Sequence, residues 1–296
     1  MLADLAAQTP LPGNVLVGLT PRDDAAVVGL DAERALIATV DFFPPIVDDP
    51  ADYGAIAAAN AVSDIYAMGG KVAFALAVSG FPESVPREIV LTVARAARDV
   101  VNDCGGVVLG GHSIRCAEPV FGLCVIGFAH PARFWRKAGA KPGDRLVLSK
   151  PLGTGLLVSA DVPAGVATAV AAMRVTNRRA AAELEKLVIP PRAVTDVSGY
   201  GLIGHAHEVA EQSGVVLRIV AERVPLLPGA LAAARAGVRT TAHRGTQAPL
   251  AALLDDPQTS GGLLAAVAPE SVAALLAAGY AEIGEVVAGQ AAVAVV

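Results

Sequence analysis

The chain has 296 residues and a formal net charge of −5, with 54% hydrophobic, 17% charged and only 4% aromatic residues. That length suits two domains of ordinary size, and the acidic balance excludes a basic footprint for nucleic acid or a polybasic membrane patch. Mean hydropathy is positive (+0.54), yet no apolar run approaches the ~20 residues of a spanning helix. Asp4, Pro10 and Pro12 interrupt any signal-peptide core. Cys104, Cys116 and Cys124 have no C-x-x-C spacing and read as reduced, mostly buried thiols of a cytoplasmic protein. Scarce aromatics and abundant alanine predict cores of Ala, Val and Leu in which helices lie close to sheets.

In chain order, "TPRDDAAVVGL" (20–30) places Arg22, Asp23 and Asp24 ahead of a short strand. On an extended chain the two aspartates point to opposite sides and take different roles, one facing a metal and one another part of a ligand. The plain alternative is a turn in which Asp caps backbone amides. "ALIATVDFF" (35–43) reads as a strand with Asp41 near its carboxyl end. A helix follows in "DDPADYGAIAAANAVSDIYAMGG", with Asp49 as N-cap, Pro50 in the first turn and Gly69-Gly70 as stop. It carries Asn60 and Asp64 one turn apart on one face, and a carboxylate on a packed helix is costly unless paired or bound to a cation.

"KVAFALAVSGF" reads as a strand, "PREIVLTVARAARDVVNDCG" as an amphipathic helix, and "GVVLGGHS" and "PVFGLCVIGFA" as two further strands. Gly110 and Gly111 give a backbone that a phosphate can approach closely, or an ordinary turn. These elements make a first domain, 1–130. The Lys/Gly/Pro-rich stretch "RFWRKAGAKPGDRLVLSKPLGTG" opens a second, 131–296, with the strand "DRLVLS", Ala-rich helices near 163–187 and a helix near 228–237. In "TDVSGYGLIGH" (195–205), Asp196 precedes three glycines at the start of a helix, whose N-terminus favours anions. "DPQTSGGLL" (256–264) joins an acid and a turn to paired glycines before an apolar strand, and a helix and a strand close the chain.

Carboxylates gathered beside glycine turns suit Mg²⁺ and a polyphosphate. There is no GxxxxGK[ST] loop and no complete dinucleotide fingerprint. His205 and His207 form H-x-H without a third zinc ligand nearby, and His130 and His243 have no evident partner.

The order and wording of "LVGLTPRDDAAVV", "TVDFFPPIVDDPADYGAIAAANAVSDIYAMGG", "LGGHSIRCAEPVFGLCVIG", "TDVSGYGLIGH" and "DPQTSGGLL" resemble the selenophosphate synthetase (selenide, water dikinase) family, from about residue 14 to the end. The resemblance implies an α/β (α+β) fold of the two-domain aminoimidazole-ribonucleotide-synthetase type. Its N-terminal domain completes a β-barrel across a homodimer, and its C-terminal domain is α/β. It implies conversion of ATP, selenide and water to selenophosphate, AMP and orthophosphate. Metal ligands carry over to Asp24, Asp64 and Asp196. Nucleotide contacts carry over to Pro21, Arg22 and Asp23, to Asp41 and Asp64, and to Gly110, Gly111 and His112. ATP, selenide and Mg²⁺ are the implied small-molecule partners.

Family members usually carry a glycine-rich lead-in with a reactive Cys or selenocysteine and then a Lys, whereas "MLADLAAQTPLPGN" contains neither Cys nor Lys. The expectation is that the lead-in lies upstream of Met1, behind a selenocysteine codon read as a stop, or was removed by truncation. The chain as it stands would then dimerise and bind Mg²⁺ and nucleotide but make little selenophosphate. The alternatives are another ATP-dependent kinase or synthetase of the same superfamily and a non-catalytic nucleotide-binding homologue.

Overall fold

The computed structural model describes residues 11–240 and 248–296; His243 and the first ten residues lie outside the described residues. Two six-stranded sheets organise the chain. The first comprises β1 (Val15–Val17), β2 (Ala26–Gly29), β3 (Ala35–Phe43), β4 (Lys71–Phe81), β5 (Val107–Arg115) and β6 (Val120–Ala129), in the order β1-β2-β3-β6-β4-β5. Its centre is the antiparallel ladder of β3 and β6, unbroken from Ala35↔Ala129 to Phe43↔Phe121. Within this sheet, among the described residues, only β4 and β5, joined through a helix, pair parallel.

Helices cover one face of this sheet. Asp49 accepts the amides of Ala51 and Asp52 and starts α1 (Pro50–Ala61), as its sequence requires. The helix read through Asn60 and Asp64 is two helices: α1 stops at Val62 and α2 (Ser63–Ala67) starts there. Against α1 lies α3 (Arg87–Asp103). The approach is so close that a Cβ on Gly54 would stand 2.1 Å from the Val93 carbonyl oxygen. Ala55, Ala57, Ala58, Ala59 and Ala61 are all buried, so small residues set this spacing, as the composition predicts.

The opposite face of the sheet is bare and apolar. Cross-strand pairing puts Val40 and Phe42 of β3, Phe128 of β6, Leu76 of β4 and Ile114 of β5 on it, and all five are exposed. The glycines of "LGGHS" sit inside β5 rather than in a turn after it. Leu109 is an extra residue there, since Ala75 pairs with Val108 and Leu76 with Gly110. A Cβ on Gly111 would meet the Ala77 carbonyl oxygen at 2.1 Å, so glycine is what lets β5 close on β4 at the bulge.

The second sheet contains β7 (Arg145–Leu148), β8 (Ala193–Asp196), β9 (Val216–Ile219), β10 (Leu263–Val267), β11 (Ala281–Val287) and β12 (Ala292–Val295), in the order β12-β9-β11-β7-β10-β8. Its helices are α4 (Thr154–Ala160), α5 (Pro163–Met173), α6 (Arg178–Glu185), α7 (Gly201–Ser213), α8 (Ala230–Arg235), α9 (Pro249–Leu254) and α10 (Val272–Ala277). The chain ends on two strands, one more than its sequence suggested. One apolar cluster runs through both halves, joining Ile65 and Met68 to Val194, Leu263 and Ala265. A cleft between the halves is therefore built on shared packing.

The three cysteines are free, but only Cys104 is buried; Cys116 and Cys124 are partly exposed, contrary to the expected burial. They lie on an edge strand's end and on the outer sheet face, where burial stops.

Candidate active site

The β3 end, the α1–α2 break, the turn before β2 and the end of β8 converge on a cleft of about 460 Å³. Arg22, Asp23, Asp24, Asp41, Asp64 and Asp196 all line it. Asp23 and Asp24 share this one cleft, because residues 21–24 precede β2 in irregular backbone and the strand alternation does not apply. Their partners nevertheless differ. Asp23 accepts the amides of Asp24 (3.0 Å) and Lys137 (3.3 Å), the capping behaviour of a turn aspartate. Asp24 accepts from side chains only.

One carboxylate oxygen from each of Asp24, Asp64 and Asp196 lies within 4.8 Å of the others. Each of the three is held by a hydroxyl on one oxygen. Thr195 Oγ1 donates to Asp24 Oδ1 (2.9 Å), Thr39 Oγ1 to Asp64 Oδ2 (2.5 Å) and Ser63 Oγ to Asp196 Oδ2 (2.6 Å). Asn177 Nδ2 in turn fixes Ser63 Oγ at 2.9 Å. Among the described residues Asp24 Oδ2 is buried without a hydrogen-bond partner. A buried carboxylate oxygen with no donor is costly, and three carboxylates brought this close together fit a hard divalent cation with oxygen preference.

The electrostatics carry the same signature. Burial pushes Asp24 up to about 8, against the pull of Lys137 and with added repulsion from Asp196 and Asp23. Burial drives Asp64 well above the usual carboxylate range, with Asp196, Asp41 and Asp24 adding to it. Burial and then Asp196 raise Asp41 to about 6. Three buried acids that resist ionisation beside Asp196 need positive charge from a ligand.

Asn60 joins the two halves at the rim. Its Nδ2 donates to Asp41 Oδ2 (3.2 Å) and its Oδ1 accepts the Ser260 amide (2.8 Å). Beneath that loop Lys150 Nζ donates to the Ser260 carbonyl (2.7 Å), and burial pulls this lysine down to about 7. Asn60 and Asp64 thus both face the cleft despite the break at Val62, since one turn still separates them.

Pro21 is exposed beside the cleft and does not line it. Gly110, Gly111 and His112 are on β5, separated from β3 by β6 and β4. At about 4.8 Å per strand that is roughly 14 Å from Asp41, so a single chain does not bring them to the aspartates. The H-x-H residues diverge. His205 is buried, with Nε2 3.2 Å from Ser198 Oγ, whereas His207 is exposed and pairs with Glu211. Among the described residues neither belongs to a three-ligand cluster. His130 does have a partner, since its Nδ1 accepts the Ala132 amide at 3.1 Å.

Lys137, Glu208, Gln258 and the hydroxyls of Thr39, Ser63 and Thr195 escaped the sequence reading. Lys137 stands in a stretch that looks like a linker, and nothing local marks it. Thr195 directly precedes Asp196, the one local signal that was present.

The sequence matches the family model "AIR synthase related protein, N-terminal domain" over residues 22–129 and its C-terminal counterpart over residues 141–296. The fold and cleft thus define an AIR-synthase-related protein. The selenide, water dikinase of Paraburkholderia xenovorans (strain LB400) is 44% identical, the match covering 100% of this chain and 92% of that protein. That of Myxococcus xanthus (strain DK1622) is 42% identical over 93% of this chain and 85% of its own length. The chain belongs to the selenide, water dikinase family. Among solved structures, AaThiL complexed with AMPPCP and TMP has a TM-score of 0.79 at 23% identity, covering 99% of this chain and 92% of that one. The hydrogenase maturation protein HypE in complex with ATP has a TM-score of 0.74 at 20% identity, over 92% and 84%. These two share the fold.

Proposed function

We propose that this chain catalyses ATP-dependent synthesis of selenophosphate from selenide and water, releasing AMP and orthophosphate. The observation that carries the reading is the junction of Asp24, Asp64 and Asp196, drawn from both halves of a chain whose relatives are named selenide, water dikinases. Asp24, Asp64 and Asp196 hold Mg²⁺, which supplies charge neutralisation to the phosphates and to phosphoryl transfer. Arg22, at the mouth, is placed for a phosphate contact. Asp41 and Asp64 line the nucleotide side, where Asn60 orients Asp41.

The protein acts as a cytoplasmic homodimer with a dimer-forming domain 1–130 and a C-terminal domain 131–296. Support comes from the exposed apolar face holding Val40, Phe42, Leu76, Ile114 and Phe128 and from the edge of β5, unpaired among the described residues. An edge of this length is a ready template for a second chain. Gly110, Gly111 and His112 sit on that edge, so the dimer is where they meet nucleotide. No helix among the described residues is long and apolar enough to cross a membrane.

The test is anaerobic ATP turnover with and without selenide. AMP formation that rises with selenide, even at a low rate, is expected. Turnover to ADP indifferent to selenide, or driven by an organic phosphate acceptor, contradicts the assignment.

A further inference from the structure

Lys137 is a buried cation between two carboxylates and outside every role assigned above. Its Nζ lies 2.9 Å from Asp24 Oδ1 and 2.7 Å from Glu208 Oε2, with its side chain 6% exposed and that of Asp24 3% exposed. Its backbone is fixed as well. The Lys137 amide donates to both Asp23 oxygens, and the amides of Gly139 and Ala140 donate to Ser213 Oγ at the end of α7. Little freedom remains to the ammonium.

The geometry is asymmetric in a useful way. Lys137 and Thr195 both engage Oδ1 of Asp24, and Oδ2 is left buried without a partner among the described residues. A carboxylate has two oxygens, and fixing one by a charge-assisted bond sets the direction of the other. We propose that Lys137, locked by Glu208, is a positioning residue that clamps Asp24 through Oδ1 and presents Oδ2 to the divalent cation. Outer partners of metal ligands act this way in general. The clamp also spans the fold, since Asp24 precedes β2 and Glu208 lies on α7, so cation binding becomes sensitive to how the two halves are held together.

This inference rests on the metal reading of Asp24, Asp64 and Asp196, and the two are separable. The measurement is titration of the full chain with Mn²⁺ alone, read by the electron paramagnetic resonance of free and bound ion. The parent chain is expected to bind. Lys137→Met weakens binding about tenfold or more, and Lys137→Arg, which keeps the charge, recovers most of the loss. If Lys137→Met does not fold, Thr195→Val removes the other Oδ1 partner without altering charge and weakens binding several-fold. Parent-like affinity in a folded Lys137→Met chain, or in Thr195→Val if only that variant folds, overturns the proposal. Tighter binding by Lys137→Met does so too, because it makes the lysine a competitor of the cation. A parent chain that binds no Mn²⁺ overturns the metal reading and the clamp together.

Discussion

Asparagine at position 64 weakens Mg²⁺-dependent nucleotide binding by about two orders of magnitude or more, since loss of an outer partner alone costs about 10–100-fold. The same change leaves the fold intact. The side chains are isosteric, Thr39 Oγ1 can still donate to the amide oxygen, and one costly buried ionisable group disappears from beside Asp24, Asp41 and Asp196. Without metal, Asp64→Asn therefore melts at a higher temperature than the parent, as expected where function maintains an unfavourable charge cluster. With Mg²⁺ at a concentration that saturates the parent alone the order reverses, because the parent gains far more from binding. Calorimetric titration with Mg²⁺ and a non-hydrolysable ATP analogue, alongside thermal melts, reads both halves of the result. Equal nucleotide affinity in mutant and parent removes Asp64 from the site.

The second large effect is on stability against pH. Burial holds Asp24 at about 8, Asp256 at about 7 and Asp41 at about 6 in the folded chain, against 3.8 for the free side chain. Folded protein thus binds more protons than unfolded protein between those limits. The stability these groups contribute is present in full below the unfolded value and is lost as pH rises through the folded ones. Lys150, held down at about 7 against 10.5, has the opposite sense, but its window opens only above pH 7 or so. His205, lowered by burial from 6.5, partly offsets the carboxylates near that pH. In chelator, the melting temperature falls from about pH 5 to pH 7 and flattens above it. Mg²⁺ restores little at the acid end, where protons hold the carboxylates, and most at the neutral end. A metal-free melting temperature that climbs steadily over that range contradicts the charge cluster described here.

Much of the first half was legible because its signals are local. β3 and β4 run over the residues that apolar β-branched stretches mark, and Asp49-Pro50 starts α1 where capping chemistry says it should. The aspartates of the cleft were legible one at a time, each conspicuous against apolar surroundings. Their grouping was not, since Asp24, Asp64 and Asp196 come together only when β8 and α2 pack between the halves. Strand alternation misled at Asp23 and Asp24, which lie in irregular backbone. Helical periodicity ran through Val62 because the break leaves the following turn in phase. α4 was missed behind Pro151 and Gly153, and short β1 and β9 offer too few residues for a period. Lys137 shows the limit most plainly. Its partners are 113 residues before it and 71 after it (137 − 24 and 208 − 137), and its own neighbourhood reads as linker.

The site's chemistry turns on where one cation binds. Crystals of the chain grown with Mn²⁺ and a non-hydrolysable ATP analogue, measured for anomalous scattering, locate that ion directly. The prediction is a peak within coordination distance of Asp24, Asp64 and Asp196 and of the nucleotide's phosphates, with Asp24 coordinating through Oδ2. Nucleotide bound in the cleft with no anomalous peak among the three aspartates, or a peak at a different set of residues, would contradict it.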